Sequence, residues 1–361
     1  MLHPYADKNT PFVLSPASLD WYLNKGWYRM GASIFTTHFL YFGGQPYSAV
    51  WIRQNLENFG FSKSQRKLMR RNAKLFDVSW GPRRVDEERN ELYARYAADF
   101  DGRLSPTISD SLEVYDGRTN PFNTWETTIR DRVSGQLVGF SYFDLGEETV
   151  ASILGVYDPK LKSFSLGYYT MLLELQYCME QQLRYYYPGY VVPGYQRFDY
   201  KLRMGPSDYY DLASGKWLPY EQEKIEQNAP VEIQERKLGA LAGELGDDNR
   251  NPRVLVYPFF EACLYDIFSD DYLPYPFFYP LGRDGEDHVV VVVFDPKDQE
   301  YLLLRCVHQR DSAVLTLTAP PSGANAERTF TDLLTVDTVL YRTQITSIMA
   351  YACRQLIAPG Q

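Results

Sequence analysis

Apolar and polar residues alternate over residues 125–131 and 136–144, and this period of two predicts two strands joined at Val133, Ser134 and Gly135. A third strand is expected at 149–157, stopped by Asp158 and Pro159. From 166 the period lengthens. Leu166, Tyr169, Leu173 and Tyr177 fall on one face of a helix expected over 166–184. Residues 185–192 then make a further strand. Upstream, the pattern predicts a short helix at 18–25 closed by Gly26, a strand-like run at 34–41, a turn at Gly43–Pro46 and renewed alternation to 55. Helices are expected at 62–77, with Ser62 as N-cap, and at 86–99, followed by a loop with a short helix over 106–120. Downstream, 220–249 is charged, helical and broken at Pro230, and it reads as a connector. Residues 254–268 are aromatic and helical in pattern. Strands follow at 288–294, 300–307 and 313–319, and a long helix at 330–357 closes the chain.

Three meandering strands, a helix and a strand form the layout of a GCN5-type N-acyltransferase core. The expected fold class is therefore α/β, a core of that type with a mixed sheet and flanking helices, plus a C-terminal α+β accessory domain. The expected division is an N-terminal region at 1–60, the acyltransferase-like domain at 61–220 and the accessory domain at 221–361.

The chain has 361 residues, of which 45% are apolar, enough for a sizeable core. No run of 18 apolar residues occurs, so no membrane helix is expected. The first ten residues lack a basic segment followed by an apolar one, and the expected compartment is the cytoplasm. Cys178, Cys263, Cys306 and Cys353 are far apart, as are His3, His38, His288 and His308. That scatter argues against a metal site and against a Cys–His nucleophile pair, and no cofactor is expected.

The net charge of −9 speaks against a nucleic-acid partner, but it hides an asymmetry. Residues 62–75 hold six cations and no acid. Lys63, Arg66, Lys67, Arg70, Arg71 and Lys74 share one helical stripe. Like charges so spaced oppose the helix unless a polyanion compensates them, so this stripe is the candidate nucleic-acid contact. Thirty tyrosines supply faces for clefts and for stacking on bases.

The segment P-G-Y-V-V-P-G-Y-Q-R-F-D-Y-K-L-R-M-G-P-S-D-Y-Y, residues 188–210, mixes aromatics, glycines and cations without the periodicity of a core element. After a strand, such a segment lines a site. Four elements here, in order, resemble those of the aminoacyl-tRNA–protein transferases, the arginyl and leucyl transferases. They are Gly26-Trp27-Tyr28-Arg29-Met30-Gly31, the basic run 62–75, Tyr157-Asp158-Pro159 with Ser165-Leu166-Gly167-Tyr168-Tyr169, and Tyr190 to Lys201 with Pro206-Ser207-Asp208. The sequence departs from the family in having no cysteine before Cys178 and in carrying Gly205 where the family has arginine.

The resemblance implies transfer of arginine or leucine from an aminoacyl-tRNA to the α-amine of a protein N-terminus with an acidic first residue, in an N-degron pathway. It implies catalytic roles for Tyr168, Tyr200 and Asp158, and substrate binding by Lys201, Arg197, Arg29, Ser165 and Gly167. Asp144, like Asp158, is a candidate to accept the amine's proton. Aminolysis of an ester needs no ATP. A free α-amine has a pKa of about 7.7–8 and is partly neutral at pH 7, so positioning and oxyanion stabilisation are the main demands. Two alternatives compete. One is an N-acetyltransferase using acetyl-CoA, although the loop Lys162-Ser163-Phe164-Ser165-Leu166-Gly167 lacks the first glycine of a pyrophosphate loop. The other is a non-catalytic tRNA or N-degron binder on the same fold.

Overall fold

The computed structural model describes residues 2–102, 104–112, 120–247, 253–264, 272–309 and 326–357. In chain order the first elements are β1 (Ala6–Asn9), α1 (Pro16–Asn24), β2 (Tyr28–Met30), β3 (Ser33–Thr37), β4 (Phe39–Phe42), β5 (Gln45–Ser48), β6 (Val50–Asn55) and α2 (Lys63–Asn72). Next come β7 (Phe76–Pro82), α3 (Glu87–Asp99), α4 (Ile108–Leu112), β8 (Thr124–Asp131), β9 (Leu137–Leu145), β10 (Thr149–Tyr157), α5 (Leu166–Glu180) and β11 (Tyr185–Val191). The chain continues with β12 (Asp208–Asp211), β13 (Lys216–Pro219), α6 (Gln222–Asn228), α7 (Pro230–Glu244), β14 (Leu255–Val256), β15 (Phe277–Arg283), β16 (His288–Asp295), β17 (Glu300–Gln309), β18 (Leu333–Thr343) and α8 (Thr346–Ile357).

Eight strands form the main sheet in the order β13-β12-β6-β11-β10-β9-β8-β7. Neighbours are antiparallel except β10 and β11. β9 is buried almost throughout because helices cover both faces. Its Phe140 and Tyr142 pack with Leu92 and Tyr93 of α3. Phe143 packs with Leu172 and Leu175 of α5.

α2 begins at a reciprocal cap. Ser62 accepts from the Gln65 backbone at 3.3 Å, and the Ser62 backbone donates to Gln65 Oε1 at 2.7 Å. The helix stops at Asn72, earlier than the expected 77, because Phe76 opens β7 against β8.

The second sheet, β14-β15-β16-β17-β18, packs against α7 and α8. Leu238, Leu241, Met349 and Ala350 bury against Val291–Val293 and Leu302–Leu304. Tyr5 and Phe39 join this cluster, and the Tyr5 hydroxyl donates to Asp295 at 2.5 Å.

Three expectations are corrected here. Residues 330–357 are not one helix: Leu333–Thr343 pairs along β17, and only Thr346–Ile357 is helical. The segment L-L-T-V-D-T-V-L-Y-R-T is rich in β-branched residues, which favour a pleated surface. The segment 220–249 is more than a connector, since α7 buries Val231, Ile233, Leu238 and Leu241 in the second core. Within 254–268, the described part is a two-residue strand and a 3-10 helix at Pro258–Leu264. The strand expected at 313–319 lies outside the described residues.

Candidate active site

β10 and β11 pair only from Thr149 to Ala151 with Tyr185 to Tyr187. Beyond that they diverge, β10 through a bulge between Ser152 and Leu154, and β11 through a register shift between Tyr186 and Gly189. The result is a fork in the middle of the sheet. The Tyr28 hydroxyl sits at its apex, 3.0 Å from the Tyr187 carbonyl and also within bonding distance of the Ser152 carbonyl, one oxygen from each strand. Its ring stacks on Trp51 at 5.5 Å. Gly189 has φ +95°, and a Cβ there would lie 3.3 Å from Lys201 Nζ and 3.8 Å from the Tyr28 ring. Glycine lets both side chains close on the backbone of the fork.

Lys201 belongs to the 3-10 segment Gln196–Met204 that follows β11. Its ammonium is buried, donates to the Tyr190 carbonyl at 2.7 Å and lies 5.2 Å from the ring centres of Tyr190 and Phe198. Burial pushes its pKa down to about 7. Among the described residues, no acidic side chain is bonded to it. Tyr200 beside it is 43% exposed. Burial raises the pKa of its hydroxyl, which lies within electrostatic reach of Glu174 and Arg197.

At the open end of the fork lies a pocket of about 450 Å³, lined by Tyr96, Phe100, Tyr157, Lys162, Tyr195 and Arg197, with Asp99 and Asp101. Arg197 lies 4.9 Å over the Phe100 ring and donates to the Asp101 carbonyl. Lys162 pairs with Asp99 at 2.6 Å on the surface.

Ser165 holds φ 53° and ψ 44°, a left-handed conformation unusual for serine, and starts α5 without a side-chain cap. Gly167, in the first turn, packs so closely on Tyr157 that a Cβ would come within 2.9 Å of its ring. Tyr168 faces the other way. Its hydroxyl donates to the Arg203 carbonyl at 2.7 Å and accepts from Gln65 at 2.9 Å, tying α2 to the 196–204 segment. Asp158 caps the turn at Pro159–Phe164 by accepting from the Lys160 backbone at 2.9 Å.

Arg29 lies away from the fork's open end. All five of its guanidinium hydrogens are used internally, on Gly31, Thr124, Asp144, Leu112 and Asn120. Its pairing with Asp144 at 2.8 Å is fully buried. Burial pushes the Asp144 carboxyl up, against the pull of Arg29 beside it.

The side chains of Lys63, Arg66, Lys67, Arg70, Arg71 and Lys74 are all exposed, with Lys74 just past the end of α2. The buried side of α2 is pinned to the loops that shape the fork. Gln65 also donates to the Met204 carbonyl at 2.9 Å, and Asn72 to the Phe164 carbonyl at 2.9 Å. Among the described residues, no group of three or more His, Cys, Asp or Glu side chains is placed to hold a metal ion.

Sequence reasoning missed Tyr28, Gln65 and Glu174. Gln65 was legible as the third helical position after a serine cap. Glu174 carried a signal too, as an acid between Leu173 and Leu175 in the middle of an otherwise apolar helical run. Its Oε2 accepts from the Tyr186 hydroxyl at 2.8 Å, and among the described residues its buried Oε1 has no hydrogen-bond partner. Burial pushes its pKa up to about 7, although Ser141, Ser152 and Tyr186 favour the charged form.

The chain matches the family described as "Arginine-tRNA-protein transferase, C terminus" over residues 88–211, which include α5, the fork and Lys201. It is 31% identical over 172 residues to an aspartate/glutamate leucyltransferase of Ruegeria pomeroyi, covering 46% of this chain and 60% of that protein. It is 31% identical over 176 residues to the protein of the same name in Methylorubrum populi, covering 45% of this chain and 68% of the relative. To arginyl-tRNA–protein transferase 1 of Dictyostelium discoideum it is 33% identical over 96 residues, which cover 25% of this chain and 15% of the relative.

Proposed function

Because the chain belongs to the aminoacyl-tRNA–protein transferase family, we propose that it moves an aminoacyl group from a charged tRNA to the α-amine of a protein whose first residue is acidic. The observation that carries this reading is the fork between β10 and β11, with the buried Lys201 ammonium against Gly189. The amine nitrogen bonds to the ester carbonyl carbon, and the carbon–oxygen bond to the tRNA ribose breaks. The ribose oxygen leaves with a proton, and the amine gives one up. Tyr200, at the fork, is suited to donate to the carbonyl as negative charge develops there. The N-terminal turn of α5 supports that charge through its backbone N–H groups and dipole. Lys201 receives the carboxylate of the acceptor's first side chain. The strand order β8-β9-β10, then α5, then β11, opening where β10 and β11 part, supports a GCN5-type acyltransferase core. The pocket beside Tyr157 and Arg197 suits the 3′-terminal nucleotide, with aromatic rings to stack a base and cations for phosphate.

The direct test supplies the protein with radiolabelled arginyl- and leucyl-tRNA and peptides that begin with Asp, Glu or Ala. Label should pass to the first two and far less to the third. No transfer to any peptide overturns the reading.

The cation stripe gives a second expectation. Replacing Arg66, Lys67, Arg70 and Arg71 with Gln should weaken tRNA binding at low salt by at least tenfold. If all four meet phosphate, the slope of log affinity against log salt should flatten by about 3. Filter binding across a salt series measures both, and unchanged affinity and slope would remove the stripe from the interface.

A further inference from the structure

Glu174 is a buried acid at the fork to which the transfer reaction above gives no role. We propose that it reads a cationic side chain, of the guanidinium class, on the aminoacyl group that this protein transfers. The inference rests on the transferase reading and selects one donor class within it.

Position supplies the first argument. Gly167, in the first turn of α5, lies against Tyr157 beside the open pocket. Glu174 is seven residues further along the same helix, about 10 Å deeper at 1.5 Å per residue. There it bonds Tyr186, at the point where β11 leaves β10, and lies beside Ser152, where β10 bulges. The carboxyl therefore marks the closed end of the fork. A donor ester held near the helix N-terminus keeps its α-ammonium there, and only an extended side chain reaches this depth.

Chemistry supplies the second. Glu174 is fully buried, and among the described residues its Oε1 has no hydrogen-bond partner. One helical turn to either side, Met171 and Cys178 are apolar, and the hydroxyls near the carboxyl are those of Ser141, Ser152 and Tyr186. An aliphatic donor side chain would leave the oxygen unpaired at a cost, whereas a guanidinium presents parallel donors to it.

Access supplies the third. Tyr200 shares its electrostatic surroundings with Tyr96 and Arg197, which line the pocket, and with Glu174 and Tyr28, which close the fork. In this proposal the partly exposed Tyr200 lies between the pocket and the carboxyl.

The test measures calorimetric binding of two stable donor analogues, 3′-arginylamino- and 3′-leucylamino-3′-deoxyadenosine, to the full chain and to Glu174→Gln. It also measures transfer of radiolabelled arginine and leucine from tRNA to an Asp-initiated peptide. The arginyl analogue should bind the unchanged protein at least 30-fold more tightly than the leucyl one. Glu174→Gln, which keeps an acceptor for Tyr186, should erase that preference while leucyl binding holds. Glu174→Asp should keep a reduced preference, and it serves as the reporter if Glu174→Gln does not fold. Equal binding of the two analogues, preference for leucyl, or equal loss of both in the variant overturns the proposal. Equal loss would mark the carboxyl as a partner of the α-ammonium. Arginyl preference without transfer sinks the transferase reading and leaves the assignment of Glu174 intact. Leucine transfer without arginyl preference does the reverse.

Discussion

Lys201→Met is expected to lower kcat/KM on Asp- and Glu-initiated peptides by roughly 30- to 900-fold, equivalent to about 2–4 kcal/mol, and to leave an Ala-initiated peptide nearly unchanged. The ammonium is buried and holds one carbonyl, so an incoming carboxylate meets a partner already stripped of water. With methionine in its place, that carboxylate would be buried unpaired. Steady-state kinetics on the three peptides decide the matter. Equal losses on all three would move the lysine to the donor side of the reaction, and full activity on all three would remove it from the site.

The same substitution should stabilise the protein at neutral pH. The folded pKa of Lys201 is about 7, below its ordinary value of 10.5. Between those values the unfolded chain binds the extra proton, so this group's contribution to stability rises with pH from about 7 to about 10.5. Below about 7 the burial penalty is felt in full. Lys201→Met removes it and should gain on the order of 2 kcal/mol at pH 7, with the advantage shrinking as pH approaches 10. Denaturant unfolding at pH 7 and pH 9.5 measures both effects. A variant less stable at both values would mean that the hydrogen bond to Tyr190 outweighs the buried charge.

Arg29→Met should act in the opposite sense, on folding rather than on substrate choice. Removing the guanidinium strips Asp144 of its buried ion partner and leaves the Leu112 carbonyl and Asn120 without its hydrogen bonds. Breaking one side of such a pair costs about 3–5 kcal/mol. A lower denaturant midpoint is expected, with kcat/KM per folded molecule close to the original. Arg29→Met combined with Asp144→Asn should recover part of the loss, because the orphaned charge is gone. Normal stability with impaired peptide selectivity would instead make Arg29 a substrate contact.

Much of the fold could be read from period alone. The meander β8, β9 and β10, helix α5 and strand β11 were legible because each buries one face or both against a helix, and that demand is written in the spacing of their apolar residues. The cap at Ser62 was legible for a local reason, since its partner Gln65 lies three positions on. β18 was misread because V, L, Y and T also fit a helical face at short range, and only pairing with β17 selects the strand. Of the site, the loop 188–210 and Lys201 stood out as polar and aromatic residues without a core period. Arg29 stood out equally, but a charged residue in a motif looks the same whether it meets a substrate or a buried aspartate.

The sequence by itself determined most of the local elements, the cation run of α2 with Lys74 just past its end, and the family, because these depend on residues close in the chain or on residue order. The tertiary structure alone decided which charges are paired and which wait. Arg29 meets Asp144 across 115 positions, whereas Lys201 and Glu174 are buried at the fork with no opposite charge among the described residues bonded to either. That difference comes from where β10 and β11 part. A sheet that splits must leave polar groups at the split, and only the folded chain shows which side chains are brought there.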